Sequence, residues 1–366
     1  MPGIAAVEAR VHRPPAAAED PEPYAGADSF VFVRLRLRLS DGCEGEGYTG
    51  RFLAAEVAHF LNGSVAEALV GCDPLAEPNF SSNLMRRFNP RQMTGVVVSA
   101  FSTLDIALHD LRAKSAGVSL AALLGGRRAA APVHVTCGFP ALSTEALAAA
   151  CAKEIAGGAA GVKVLVAARG RSVAEDADRV RAVRAAIGDR ADLIVDANCG
   201  YDLDAARNFQ RRTADLGLAW FEEPVHGNNP GALAALAADR VHPIGAGQME
   251  QSMERFRQLE VAGVSVLQPN AVFAGGIGAA ITVAQKARRS GRTVSPAGGW
   301  DIVNIHWMCG AVDQGPVELH RAQNRITRLL RGGAPSLPIA DGCLAPPGGM
   351  GLGLLPDEAA LAACAL

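Results

Sequence analysis

Residues 193–196 read Leu-Ile-Val-Asp, and residues 218–222 read Leu-Ala-Trp-Phe-Glu. Each is a short apolar run that closes on a carboxylate, and Asp196 and Glu222 stand 26 residues apart. That interval is the length of a strand, a helix and their connections. Gln248 follows at the same interval, after a third apolar run at 242–245. Working outward, the pattern begins at 133–137, just after Pro132, and recurs at 161–166, 264–268, 293–295 and 315–318, with Ala-rich helical stretches between. Eight runs at intervals of roughly 20–30 residues fit a (β/α) barrel or a doubly wound open sheet. No glycine-rich phosphate fingerprint follows the first run, and acidic or amide residues recur where the runs end. The barrel is the expected α/β fold.

The N-terminal third has a different texture. Residues 30–39, Phe-Val-Phe-Val-Arg-Leu-Arg-Leu-Arg-Leu, alternate apolar and basic residues, and Ser40-Asp41-Gly42 supplies a turn; this is a half-buried antiparallel strand. Helical periodicity follows at 53–61 and from Val96 through Ser115 until Gly117. Leu123-Leu-Gly-Gly126 and the Arg/Ala/Pro stretch after it mark a domain junction. The expected organisation is an α+β domain over 1–126, a barrel over 127–331, and a Gly- and Pro-rich tail over 332–366 whose turn-rich strands return to the first domain.

Of the 366 residues 49% are apolar, and 35 Lys and Arg face 37 Asp and Glu, for a formal charge of −2. No basic field exists to hold nucleic acid or an anionic membrane, so a small uncharged or anionic ligand is the expected partner. There is no run of ~18 apolar residues and no apolar signal core near Met1, so a soluble, cytoplasmic protein is expected. The eight cysteines include no C-x-x-C pair, against both a disulfide framework and a zinc site. Four of the 35 basic residues are lysines, and Lys163 sits inside the second strand-like run.

Asp196, Glu222 and Gln248, each at or just past the end of a strand, would converge at the C-terminal mouth of a barrel. Carboxylate and amide oxygens gathered there suit a hard divalent cation such as Mg2+. Such an ion would stabilise charge growing on a bound carboxylate. A loop cap or an ion pair is the plainer role for any one of them; the even spacing is what argues for a joint site.

Val195-Asp-Ala-Asn198, Trp220-Phe-Glu-Glu-Pro224, Gly247-Gln248, Leu267-Gln-Pro-Asn-Ala271 and Ala274-Gly-Gly-Ile277 occur in this order at barrel spacing. Together they resemble the enolase superfamily, in its mandelate racemase and muconate lactonizing enzyme branch. The stretch from Ser102 to Lys114, followed by Leu123-Leu-Gly-Gly126, is similar to that branch's junction helix. The resemblance runs from about residue 30 to 330. It implies a modified (β/α)7β TIM-type barrel under an α+β N-terminal capping domain, with substrate held between them, and a homo-oligomer. It also implies an activity: abstraction of the α-proton of a small hydroxy or sugar acid, with the enediolate stabilised on Mg2+, leading to dehydration (a lyase) or epimerisation.

Residue by residue, Asp196 and Glu222 match two of the family's acidic ligands, and Gln248 stands where the third is usually Glu. Glu250, two residues on, would face the same side if the strand stays extended, and is either a substitute ligand or the cap of the next helix. The branch often carries Lys-x-Lys on the second strand; here it is Lys163-Val-Leu165. Lys163 is the expected principal base, its pKa lowered beside a cation, with an ion pair to Asp196 or Glu222 as the alternative. Where the branch places groups on the opposite side of the substrate stand Asn270 and Ala297, which cannot take a proton, so a two-base racemase is not expected, and one-base chemistry, such as a syn elimination on Lys163, stays open. Glu318 matches a position that hydrogen-bonds the developing enediolate, a role that depends on its protonation. Asn198 and Asn270 are candidate substrate contacts. Arg51, in Tyr48-Thr-Gly-Arg-Phe52 of the first domain, is set either to pair with a distal carboxylate or hydroxyl or to lie in a solvated turn. His134, His226, Asp301 and His320 complete the candidates at the mouth. Two other readings stay open: a catalytically impaired member that binds a carboxylate ligand, and a Schiff-base aldolase built on Lys163.

Overall fold

The computed structural model describes residues 2–17, 20, 30–77, 80–88 and 94–366. Strands β1 (Ile4–His12), β2 (Phe32–Leu39) and β3 (Glu44–Thr49) form an antiparallel sheet in sequence order. The alternation in β2 divides its two faces. Val33, Leu35 and Leu37 are fully buried in a cluster with Leu104, Leu108 and Leu111 of the helix Val96–Ser115, while Arg34 and Arg36 face acidic partners on the other side. Gly45 and Gly47 of β3 let this helix approach closely, because a Cβ on either would collide with the backbone at Ala107 or Thr103.

The second unit is a ring of parallel strands: β4 (Ala131–Gly138), β5 (Gly161–Leu165), β6 (Asp192–Asp196), β7 (Trp220–Glu222), β8 (Ile244–Ala246), β9 (Val266–Leu267), β10 (Thr293–Val294) and β11 (Val317–His320). Neighbours pair in sequence order from β4 to β10, and β11 pairs with the other edge of β4. Register decides which side chains can meet: Leu165 lies beside Asp196, Asp196 beside Glu222, Thr136 beside Lys163, and His320 beside Thr136. Helices lie between the strands and pack on them through one continuous apolar core. No helix among the described residues is long and apolar enough to cross a membrane.

The tail divides its attachments. Its strands Ile339–Ala340 and Cys343–Leu344 form a hairpin, and Cys343 and Leu344 pair with Pro132 and Ala131 of β4. They join the barrel and not the first domain, because Ala131 and Pro132 extend beyond the residues of β4 that β5 and β11 pair and leave an edge to cover. What reaches the first sheet is the helix Glu358–Ala363 and the residues around it. Glu358 pairs with Arg34 at 2.6 Å, His12 Nδ1 meets the Leu361 carbonyl at 3.0 Å, and the Leu366 N–H donates to Val11 at 2.9 Å.

Asp110 fastens three of these parts together. Its buried carboxylate accepts from the Glu46 N–H of β3 at 2.9 Å, the Leu352 N–H of the tail at 2.7 Å and the Lys114 ammonium at 2.7 Å. Asp110→Ala leaves two amide donors without their acceptor and removes the partner of the partly exposed Lys114, so a loss of about 3 kcal/mol in unfolding free energy is expected from urea titration, with a smaller loss for Asp110→Asn.

Candidate active site

Carboxylates from three strands converge on one ammonium group. Lys163 Nζ lies 2.7 Å from Glu222 Oε1, 2.8 Å from Glu318 Oε1 and 3.5 Å from Asp196 Oδ2, and each of these side chains is at most 5% exposed. The remaining carboxylate oxygens are also engaged. Glu222 Oε2 accepts from Trp220 Nε1 at 3.0 Å and from Gln268 Nε2 at 2.7 Å. Asp196 Oδ1 accepts from the Asn198 N–H at 2.8 Å, and Glu318 accepts from the Gly299 N–H at 2.8 Å and from the Thr136 hydroxyl. One residue beyond Glu222, the buried carboxylate of Glu223 takes bonds from Asn228 at 3.0 Å and Gln248 Nε2 at 3.1 Å.

These contacts set the protonation states. Burial alone would push Lys163 down, but Glu222, Glu318 and Asp196 raise it well above the usual lysine range. The expected neutral amine is therefore replaced by a firmly held ammonium. Burial raises Glu318 too, yet Lys163, His320 and the bonds it accepts outweigh that and bring it down to about 2. Glu318 is an anion at neutral pH and does not donate a hydrogen bond, contrary to the role that needs its proton. Asp196 goes the other way: burial and repulsion from Glu222 raise it well above normal despite Lys163. Burial also raises Glu223, to about 7, with Glu222 adding to the rise and the Asn228 bond opposing it. Three buried carboxylates thus surround one ammonium, and the raised pKa of Asp196 marks where that single cation leaves negative charge unbalanced.

Above this floor is a cavity of about 110 Å3 between the two units. Lys163, Asp196, Asn198, Gln248, Glu318 and His320 line its polar side, and Phe30, Phe52, Leu165, Phe273, Trp300 and Ile326 its apolar side. The cap contributes Phe52, whose ring meets Phe273 edge-on at 5.9 Å, and Arg51, whose guanidinium lies 5.1 Å from the centre of the Phe52 ring. Trp300 is wedged under the cap, stacked on Tyr48 at 6.2 Å.

The structure brings Lys163, Asp196, Asn198, Glu222, Gln248, Glu318 and Arg51 to this mouth. It does not bring Glu250 or Asn270 onto the cavity wall. The strand ends at Ala246, Gly247 takes a φ of +123°, and the Glu250 N–H donates back to the Gly247 carbonyl at 3.2 Å, so the alternation that would have aligned Glu250 with Gln248 is lost. Its carboxylate is held bidentately by Arg255 at 2.9 Å. Asn270 is fully buried and saturated: its amide donates to Ala297 and Gly299 at 2.8 and 3.2 Å and accepts from Val272 and Asn304 at 3.0 Å each. It fastens the loop after β10, which carries Gly298 and Trp300 into the cavity wall. His134 pairs with Asp192 at 2.9 Å, at the start of β6 and away from the mouth, and His226 lies in an exposed turn. Asp301 is buried, which pushes it up to about 7.

Trp220, Gln268 and Thr136, which fix the carboxylates, were not singled out from the sequence. Period-two geometry carried a signal for one of them, since Trp220 is two residues from Glu222 on the same strand face. Among the described residues no three carboxylate, imidazole or thiolate groups cluster as a metal-binding set.

A capped parallel barrel with carboxylates on successive strand ends is the architecture of enolase-type proteins. The chain belongs to the mandelate racemase/muconate lactonizing enzyme family: residues 8–125 match "Mandelate racemase / muconate lactonizing enzyme, N-terminal domain" and residues 146–360 match "Enolase C-terminal domain-like". It is 32% identical over 269 residues to L-talarate/galactarate dehydratase of Salmonella typhimurium, covering 73% of this chain and 67% of that one. To 3,6-anhydro-alpha-L-galactonate cycloisomerase of Streptomyces coelicolor it is 28% identical over 332 residues, 90% of each chain. The crystal structure of a racemase from Streptomyces coelicolor A3(2) with bound magnesium superposes with a TM-score of 0.88 at 26% identity, over 99% of this chain and 100% of that one.

Lys163→Met leaves three buried carboxylates without their cation and is expected to destabilise the fold by about 3–5 kcal/mol at pH 8. Without the ammonium Asp196 loses the main influence that opposes its rise and Glu318 the main one that lowers it, so protonation favours the folded variant and the deficit shrinks as pH falls. Urea unfolding at pH 8 and pH 5.5 reads this; equal deficits at both would mean that the ammonium does not balance these carboxylates.

Proposed function

We propose that this chain, an enzyme of the lyase or isomerase class, binds a small hydroxy or sugar acid at the barrel mouth and labilises the hydrogen α to its carboxylate, as a dehydratase or an epimerase. The observation that carries the reading is the charge of the floor: three carboxylates against one ammonium. An incoming anion alone would worsen that imbalance, and a divalent cation would restore it. The donor chemistry fits magnesium, with Asp196, Glu222 and the amide oxygen of Gln248 as the residues that would hold it. Gln248 Nε2 is turned to Glu223, which leaves Oε1 as the ligand atom. When bound, the ion supplies positive charge against the substrate carboxylate as the α-carbon loses its proton. The magnesium in the related racemase structure and the dehydratase and cycloisomerase names of the curated relatives support this assignment.

The chain's own residues have distinct tasks. Lys163 keeps a proton at Nζ and offers both charge and an N–H to the acid. Glu318, held by Gly299 and Thr136, keeps that ammonium in place. Phe52, Phe273, Trp300 and Ile326 exclude water from the far side, and they suit a compact acid with few hydroxyls, because each buried hydroxyl without a partner costs about 1–3 kcal/mol. A second reading, a carboxylate-binding member with little turnover, is favoured by one observation: Leu165, Asn270 and Ala297 occupy the positions at which relatives of this branch carry proton-transfer groups.

Solvent deuterium exchange at the α-carbon, across hydroxy and sugar acids with and without Mg2+, separates the two. Magnesium-dependent incorporation is expected. Binding of an acid with no incorporation under any condition would leave the second reading. Gln248→Glu supplies the missing anionic ligand and is expected to tighten Mg2+ by about tenfold or more in calorimetry, that is by ~1.4 kcal/mol or more. Unchanged affinity would remove Gln248 from the ligand set.

A further inference from the structure

We infer that His320 is the group that takes the α-hydrogen as a proton. The inference rests on the proposed α-proton chemistry and supplies the acceptor it lacks. The other polar groups on the cavity floor are committed. Lys163 Nζ is taken up by contacts to Glu222 at 2.7 Å and Glu318 at 2.8 Å, and the oxygens of Glu222 and Glu318 also accept hydrogen bonds from Trp220, Gln268, Thr136 and Gly299. Leu165 and Ala297 have no group to offer, and the Asn270 amide is saturated.

His320 is placed differently. It stands two residues beyond Glu318 on β11, so both side chains point to the same face, and it lines the cavity. Its ring packs on Phe139 with centroids 5.5 Å apart, and Nδ1 is enclosed without a hydrogen-bond partner. With Nδ1 enclosed, Nε2 is the ring nitrogen left to serve the cavity that His320 lines. Burial, helped by Lys163 and Arg51 and opposed by Glu318, brings the imidazole down to about 4, so at neutral pH it carries a lone pair and no charge. The imidazolium formed by proton transfer would stand beside the Glu318 anion, which favours it.

The step balances without an outside reagent. The α C–H bond breaks, an N–H bond forms at His320, and the electron pair enters the carboxylate to give an enediolate. With a β-hydroxy acid, the same imidazolium then protonates the hydroxyl, the C–O bond breaks, water leaves, and an α,β-unsaturated acid and neutral His320 remain. One residue serves as base and then as acid on one face of the substrate.

His320→Asn and His320→Gln test this in the magnesium-loaded protein. Loss of a positioned general base is worth about 10²–10⁴-fold, so exchange at the α-carbon is expected to fall by about a hundredfold or more while the Kd of the acid shifts less than about threefold. A structural role would move affinity and unfolding midpoint instead, and exchange within about tenfold of wild type would overturn the inference. If wild-type protein exchanges no hydrogen, the functional proposal fails by itself, and alkylation then decides the place of His320. Incubation with 2-bromopropanoate is expected to displace bromide and label His320, and excess lactate is expected to protect it, both read by peptide mass spectrometry. A label elsewhere, or none, would refute the placement.

Discussion

The mouth of this barrel is organised by an ammonium ion held among three buried carboxylates. Lys163 bonds Glu222 and Glu318 at 2.7 and 2.8 Å and lies 3.5 Å from Asp196. Taking any of these groups out of water is unfavourable by several kcal/mol, and mutual attraction repays this only where the geometry is tight and the remaining lone pairs are bonded. The structure meets that condition for Glu222 and Glu318, whose second oxygens are fixed by Trp220, Gln268 and Gly299. It meets it less well for Asp196, whose raised pKa records the charge left uncompensated. The same residue is thereby the one that gains most from a further cation.

This arrangement reassigns chemistry among the strand ends. An amine clamped by carboxylates is a source of positive charge and a poor proton acceptor, since its neutral form is suppressed by the very neighbours that hold it. The apolar side chain of Leu165 on the same strand removes a second amine, and Ala297 and Asn270 leave the opposite side of the pocket without a base. Lys163 and His320 line the cavity from β5 and β11, while the β9–β10 side gives walls: Phe273, Gly298 and Trp300. A substrate would therefore meet proton-transfer groups from one side, a geometry suited to one-base chemistry and unsuited to inversion by two opposed bases.

Much of this was legible in the sequence wherever a single strand's periodicity carries the information. The eight short apolar runs mark the eight barrel strands, and Asp196 and Glu222 sit in register on adjacent strands as equal spacing implies. Reading failed where the answer depends on where a strand stops or on distances between strands. Alternation aligned Glu250 with Gln248, but the chain turns at Gly247 and Arg255 captures the carboxylate. The motif placed Asn270 at the substrate, but nothing local shows that its amide is consumed by Ala297, Gly299, Val272 and Asn304. The amine of Lys163 was expected to be neutral, because a sequence names its neighbours without saying that three of them close on one atom. The tail's strands were misassigned for a similar reason, since the extra length of β4 that receives them is a property of the assembled sheet.

The first domain matters to the site through the same kind of contact that holds the floor. Arg34 on β2 is buried against Glu46 and reaches the exposed Glu358 of the tail, and Asp110 ties β3 to the tail, so the cap is fastened by the buried charges of Arg34 and Asp110 and not by a broad apolar seam alone. Such contacts fix orientation well, because a small displacement exposes an unpaired buried charge. Orientation is what the cavity requires from the cap: Phe52 must meet Phe273, and Tyr48 must cover Trp300, for the apolar wall to close over the polar floor. Water excluded by that wall is water unable to screen the carboxylates, and so the strength of the electrostatic floor depends on the precision with which a separate domain is held above it.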